Sequence, residues 1–148
     1  MAANPKRLLI VDDEEDLLFM LALSAESTGE FVVEKARDGK EGLAKALRFH
    51  PDAAVLDGIM PVMDGFELCR RLRANPRTKR LPIVILSAGE PARCEALAKT
   101  AGADRFVRKP YDQGELMRLL LSLSRKKTGG SPTGEKEKGR SAAGRIVT

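Results

Sequence analysis

The 148-residue chain has no tryptophan, one tyrosine and five phenylalanines, so its core has to be assembled mainly from aliphatic side chains. It has only two cysteines, Cys69 and Cys94, far apart and without C-x-x-C or Cys/His spacing. That excludes the usual signatures of a zinc site or a disulfide framework and leaves two reduced thiols in the core or at the surface. The single histidine, His50, stands before Pro51 at a helix end and reads as a surface residue without a chemical role. The N-terminal segment, residues 1–6, is polar, and the first apolar run stops at Asp12. Neither a signal peptide nor a membrane span fits there, so a soluble cytoplasmic protein with no membrane partner is expected.

Positive charge is unevenly spread. The net charge is +5, yet residues 125–148 hold seven Lys/Arg against two Glu, which leaves residues 1–124 neutral with 19 charges of each sign. The same C-terminal stretch carries five glycines and only Ala142, Ala143, Ile146 and Val147 as aliphatics. Such a segment cannot bury enough area to offset its ordering entropy, and it reads as a disordered basic tail at 125–148. It has no aromatic side chain for base stacking, and Glu135 and Glu137 interrupt its charge, so a solvated tail is preferred to a nucleic-acid arm.

From residue 6 to residue 124 the pattern is that of one domain. Apolar runs near 7–11, 31–36, 53–57, 82–87 and 105–108 are each followed by a helical stretch, a cadence that predicts an α/β fold around a five-stranded parallel sheet. Helix starts are marked by an Asp with a Glu three residues later: Asp38 and Glu41, Asp64 and Glu67, Asp112 and Glu115. In the first helix Leu17, Leu18, Leu21 and Ala25 are expected to point inward, with Phe19 and Leu23 one turn apart on the opposite face. In the last helix Leu116, Leu119, Leu120 and Leu123 form the expected core stripe, and Met117 and Leu121 fall beside it.

The chemistry is concentrated where strands end. The run Leu8-Leu9-Ile10-Val11 terminates in Asp12-Asp13, and Ala53-Ala54-Val55-Leu56 terminates in Asp57. In open parallel sheets, ligands bind outside the carboxyl ends of the strands, so these acids share one pocket. Asp12 and Asp13 alone could simply serve the next helix start, where Glu14, Glu15 and Asp16 also complement the dipole. Asp57 has no such task, because the capping Asp comes seven residues later at Asp64. Three carboxylates at one sheet edge call for a cation, and a hard divalent ion such as Mg²⁺ with a phosphoryl group suits them. Two further strand ends contribute Ser87 and Lys109, a hydroxyl and an ammonium able to hold phosphoryl oxygens.

At this point the chain resembles the receiver domain of bacterial two-component response regulators, over residues 6–124. The matching stretches are Leu8 to Glu14, Leu56 to Glu67 with its Asp57-Gly58-Ile59-Met60-Pro61 core, Pro82 to Ala88, and Gly102 to Tyr111. The resemblance implies a flavodoxin-like, doubly wound sheet of order 2-1-3-4-5 with five helices. It implies a phosphorylation-controlled switch in which Asp57 accepts a phosphoryl group from a histidine kinase or a histidine phosphotransfer protein. Asp13, Asp57 and the backbone carbonyl of Ile59 would ligate Mg²⁺, with Asp12 acting through a metal-bound water. Ser87 and Lys109 would hold the phosphoryl oxygens, and Ser87 and Phe106 would carry the switch. Lys109-Pro110 is a candidate cis peptide.

Further expectations concern lifetime and partners. Ile59 and Gly89, each two residues beyond a pocket residue, cannot position an attacking water through their side chains, so slow self-dephosphorylation is expected. Phe19 and Leu23 are candidate contacts for the phosphodonor. Met117 and Leu121 are candidates for a phosphorylation-dependent contact with a downstream protein or for a homodimer face. The segment after Ser124 is too short for an output domain, so output through a partner protein is expected. Catalysis is expected to be limited to loading and losing the domain's own phosphoryl group. A phosphatase of the haloacid-dehalogenase type is the enzymatic rival, but it wants an Asp two residues after the nucleophile, where this chain has Ile59. An unphosphorylated adaptor is the other rival, against which the intact acid trio, Ser87 and Lys109 argue.

Overall fold

The computed structural model describes residues 4–129. Strand and helix alternate throughout: β1 (Lys6–Val11), α1 (Glu15–Ser27), β2 (Phe31–Ala36), α2 (Gly39–Phe49), β3 (Ala53–Asp57), α3 (Gly65–Ala74), β4 (Ile83–Ser87), α4 (Pro91–Ala101), β5 (Arg105–Arg108) and α5 (Gln113–Gly129). All pairings are parallel, and the sheet runs β2-β1-β3-β4-β5, as the resemblance implies.

Strand side chains alternate between two faces, and both faces are covered. Leu9, Val11, Ala54, Leu56, Ile83, Ile85 and Phe106 meet Leu68, Leu72, Ala98 and Ala101 of α3 and α4. Leu8, Ile10, Val55, Val84, Leu86 and Val107 meet Leu18, Leu21, Ala25, Leu116 and Leu120 of α1 and α5. Burial on both sides explains why these strands read as unbroken apolar runs rather than alternating ones. The aliphatic core anticipated from the shortage of aromatics is what forms, and both cysteines lie inside it as free thiols. Burial pushes the Cys69 thiol up to about 11, consistent with an inert core residue.

The three Asp signals start helices as expected. The carboxylates of Asp38, Asp64 and Asp112 accept the backbone N–H of Glu41, Glu67 and Glu115 at 2.8, 2.9 and 2.8 Å. The glutamates do not complete a reciprocal box. Glu67 turns to Arg70 and Arg71 instead, and Glu41 accepts the N–H of Arg37, one residue before the cap. His50 is exposed and closes α2 in the left-handed conformation, with φ 52°.

Three expectations are corrected. Leu17 is 43% exposed, and its place inside is taken by Ala22, because the buried arc of α1 is Leu18, Leu21, Ala22 and Ala25. Met117 is only 8% exposed and belongs to the core, while Leu119 and Leu121 are half-buried at its edge. The apolar arc of α5 is thus rotated toward Met117, which removes that side chain from the surface available to a partner. Third, α5 continues to Gly129, so that the first five residues of the expected tail, 125–129, are helical. The run Arg125-Lys126-Lys127 has a sequence that favours helix. The rest of the expected tail, 130–148, lies outside the described residues, and the reading of that stretch as disordered goes with it. Among the described residues, no helix is long and apolar enough to cross a membrane.

Candidate functional site

Parallel register brings the strand ends level. Val11 pairs with Leu56, so Asp12 lies beside Asp57; Asp57 pairs with Leu86, and Ser87 pairs with Arg108, so Ser87 and Lys109 complete the same edge. The Lys109 N–H donates to the Ser87 carbonyl at 3.0 Å, and the Lys109–Pro110 bond is cis. Four separate chain segments therefore deliver one pocket.

Its centre is acidic. One carboxylate oxygen from each of Asp12, Asp13 and Asp57 lies within 4.8 Å of the other two. Asp12 and Asp57 are buried, and Asp13 is exposed at the rim. The Lys109 ammonium sits 3.3 Å from Asp57 Oδ1 and 3.9 Å from Asp12 Oδ2. One cation against three anions leaves the pocket under-neutralised. Burial, and then the charge of Asp12, push the Asp57 carboxyl from 3.8 up to about 6, with Lys109 opposing the rise. Asp12 is likewise raised by burial, against the Glu14 N–H that its Oδ1 accepts at 2.9 Å. The helix-start reading of Asp12 is therefore true in part, since no side chain of Glu14 caps α1.

Asp57 is held from behind by backbone packing. The Gly58 N–H donates to the Leu86 carbonyl at 2.7 Å, and the Gly65 N–H donates to the Gly58 carbonyl at 3.0 Å. A Cβ on Gly65 would run into the Asp57 carbonyl oxygen, and one on Gly58 would come within 2.9 Å of the Phe66 ring. The loop between them carries Val62 fully exposed at φ 67°, a costly conformation for a β-branched residue. Gly65→Ala is expected to cost about 2–3 kcal/mol, because the obstruction is backbone and cannot swing aside. A thermal melt checks this; an unchanged melting temperature would contradict the packing.

The remaining candidates separate clearly. Ser87 is fully buried, its hydroxyl accepting the Gly89 N–H at 3.1 Å. Phe106 is 5% exposed and packs in the core with Ile85, Cys94 and Ala98. Ile59, in the loop after β3, is 59% exposed, and its Cδ1 would lie 3.2 Å from a Cβ on Gly89. Phe19 and Leu23 are exposed on α1 at 58% and 52%; Phe19 lines a cleft with Glu15 and Asp16, and the Lys35 ammonium lies 5.9 Å from its ring centre. Met20, 58% exposed and one turn before Leu23, adds a third apolar side chain that the spacing of Phe19 and Leu23 does not point to. Tyr111 is half-buried, its hydroxyl pKa raised by burial and by the charge of Asp12.

A model of the response regulator receiver domain matches residues 8–121. The chain belongs to that family. Over 120 residues it is 33% identical to the DNA-binding dual master transcriptional regulator RpaA of Synechocystis sp., a match covering 81% of this chain and 49% of that protein. Over 122 residues it is 38% identical to the phosphate regulon transcriptional regulatory protein PhoB of Rhizobium meliloti, covering 81% and 52%. The receiver thus spans about half the length of the curated relatives it matches.

Among solved structures, a response regulator of Chloroflexus aurantiacus superposes with a TM-score of 0.77 at 34% identity, over 82% of this chain and 99% of that one. The receiver domain of a sensor histidine kinase of Pseudomonas aeruginosa, solved with magnesium coordinated in its active-site cleft, gives 0.75 at 27% identity, over 82% and 98%.

Proposed function

We propose that this receiver accepts a phosphoryl group on Asp57 from a phosphohistidine donor and that the acyl phosphate changes which proteins the domain binds. The observation that carries the reading is the pocket itself: Asp57 is a buried carboxylate at the end of β3, 3.3 Å from the Lys109 ammonium, nearer to it than Asp12 at 3.9 Å, and flanked by two further acids. A carboxyl at about 6 is largely ionised at neutral pH and so is available as a nucleophile. In the transfer, an Asp57 oxygen attacks phosphorus, the phosphorus–nitrogen bond breaks, and the donor imidazole leaves with the electron pair and takes up a proton. Lys109 neutralises charge on the transferred oxygens, and Ser87 donates to one of them once its hydroxyl swings toward the pocket.

The donor set suits a divalent ion: all ligand atoms are hard oxygens, and the excess of negative charge is what such an ion would relieve. Asp13, Asp57 and the Ile59 carbonyl would hold Mg²⁺ directly, and Asp12 would hold it through water. When bound, the ion supplies charge neutralisation for the incoming phosphoryl oxygens.

Phe106, already packed in the core beside α4, fills the space that Ser87 leaves when it moves. The exposed face of Phe19, Met20 and Leu23 on α1 offers a surface for the donor. A downstream protein reads the loaded form, and a homodimer is a second way of reading it. The cytoplasm is the compartment that fits a phosphohistidine donor.

Intact-mass measurement after incubation with a small-molecule phosphodonor and Mg²⁺ tests the reading. Wild type should gain one phosphoryl group and Asp57→Asn none, without turnover of a generic phosphomonoester. Rapid turnover would mark a phosphatase, and no mass gain would mark an adaptor.

Ile59→Asn should shorten the lifetime of the loaded form by about tenfold, since an amide over the pocket can orient an attacking water and an alkyl group cannot. Decay of the phosphoprotein on a gel checks this. An unchanged half-life would show that Ile59 does not limit hydrolysis.

A further inference from the structure

Ser87 is held from a direction that the pocket chemistry does not explain. Besides the Gly89 N–H at 3.1 Å, its hydroxyl meets the Cys94 thiol, Oγ to Sγ 3.5 Å. Cys94 is the fourth residue of α4, is 4% exposed, and lies in the same packed cluster as Phe106, Ala98 and Ala101. Gly89 closes the arrangement. A Cβ at that position would approach Sγ to 2.8 Å, Ile59 Cδ1 to 3.2 Å and Ser87 Oγ to 3.5 Å. A side chain at that position would press on the α4 thiol where it meets the β4 hydroxyl.

We propose that Cys94 is a positioning residue whose thiol holds the Ser87 hydroxyl in its resting place, so that α4 sets how readily Ser87 turns toward a phosphoryl group on Asp57. The inference rests on the phosphoryl-acceptor reading and adds to it the partner that Ser87 must leave. A thiol is a weak donor and a weak acceptor. It can therefore keep a hydroxyl in place yet release it, where a carboxylate at the same point would hold it fast. Because the thiol belongs to α4 and the hydroxyl to β4, breaking the contact on one side loosens the other. A protein that binds the α4 surface could then alter loading at Asp57, and loading would alter α4 in return, as linkage requires.

Cys69 provides the comparison that separates this role from ordinary core packing. It is equally buried and lies in the same cluster, but its Sγ donates to the Ala101 carbonyl at 3.4 Å, with the pocket residues out of its hydrogen bonding. Truncating either cysteine removes the same sulfur from the same core. Only one truncation frees Ser87.

The test is the rate of phosphoryl incorporation from acetyl phosphate at fixed Mg²⁺, followed by intact mass for wild type, Cys94→Ala, Cys94→Ser and Cys69→Ala. Losing one weak restraint on the minor, pocket-facing position of Ser87 raises its population, so Cys94→Ala should load about three- to tenfold faster. Cys94→Ser, which keeps a donor and an acceptor and makes the stronger hydrogen bond, should show no gain, loading more slowly only to the extent that it holds Ser87 tighter, whereas Cys69→Ala should stay near wild type. The gain should vanish when Cys94→Ala is combined with Ser87→Ala. In unloaded protein, the Gly89 amide resonance should shift in Cys94→Ala and not in Cys69→Ala, because that N–H donates to the hydroxyl being released. Wild-type loading rates in Cys94→Ala, a gain that survives without Ser87, or an equal gain in Cys69→Ala would each overturn the inference while leaving the acceptor role of Asp57 standing. Failure of wild type to load at all would overturn both.

Discussion

Asp57→Asn is expected to make the metal-free receiver more stable than wild type by about 2–3 kcal/mol at pH 7.5, and to bring the two close together near pH 4. The cause is the buried charge. In the folded protein the Asp57 carboxyl stands at about 6, against 3.8 as its ordinary value, first because it is buried and next because Asp12 faces it. A raised carboxyl means that the folded state binds the proton more tightly than the unfolded chain does. Stability from this group is thus greatest below 3.8 and declines as pH rises through the window up to about 6, above which the full penalty remains. Asparagine keeps nearly the same shape and never ionises, so the penalty disappears.

Elsewhere the slope runs the other way. Glu41, held low first by the Arg37 N–H, and Glu67, held low by Arg71 and Arg70, lose their contributions as pH falls. The difference between wild type and variant cancels those shared effects. Urea unfolding in metal-free buffer at the two pH values checks the result. A variant that is no more stable than wild type at pH 7.5 would mean that Lys109 already neutralises the pocket.

Magnesium should relieve the same strain from the opposite direction. An ion that binds only the folded state stabilises it by about 2.7 kcal/mol at a hundred times its dissociation constant. For a domain of this size that corresponds to a rise of roughly 5–15 °C in melting temperature. Asp13→Asn should abolish most of the shift while leaving metal-free stability near wild type, because Asp13 is exposed and its own burial adds nothing. Asp57→Asn should lose the shift as well, but from its higher starting point. Thermal melts with and without saturating Mg²⁺ provide the measurement, with Ca²⁺ as a larger ion for comparison. A shift that survives in Asp13→Asn would place the ion elsewhere; no shift in wild type would remove these acids as ligands.

Much of this architecture is legible before any coordinates, for reasons that lie in the strands. The three central strands, β1, β3 and β4, carry short apolar runs bounded by turn chemistry, and the two with acidic ends report both the sheet edge and the pocket. Asp38, Asp64 and Asp112 mark their helix starts because a cap is a local interaction between residues three apart. Side-chain facing on helices is harder. In α1 the buried residues Leu18, Leu21, Ala22 and Ala25 keep the i, i+3, i+4, i+7 spacing, so Leu17 falls off the arc despite its hydrophobicity and the weakly apolar Ala22 falls on it. Met117 is drawn in because α5 buries a wider arc than a single i, i+4 row, and that width depends on how the helix sits on the sheet.

Non-local contacts leave almost no trace. Nothing in the chain places the Cys94 thiol against Ser87, since the meeting depends on the turn at Gly89 and on the depth at which α4 packs. The Gly65 backbone against Asp57 is equally silent in the sequence, beyond the presence of a glycine directly after a capping Asp. What the chain does disclose is which residues carry charge at the strand ends, and the fold adds their separation and burial.

Chemical trapping at the acceptor gives the most direct check on the central claim. After treatment with acetyl phosphate and Mg²⁺, an aspartyl phosphate reduced with borohydride becomes homoserine, which peptide mapping by mass spectrometry can assign to one position. The expected result is homoserine at residue 57 alone, dependent on both phosphodonor and Mg²⁺. Homoserine at residue 12 or 13, or at none of the three, would contradict the assignment of Asp57 as the phosphoryl acceptor.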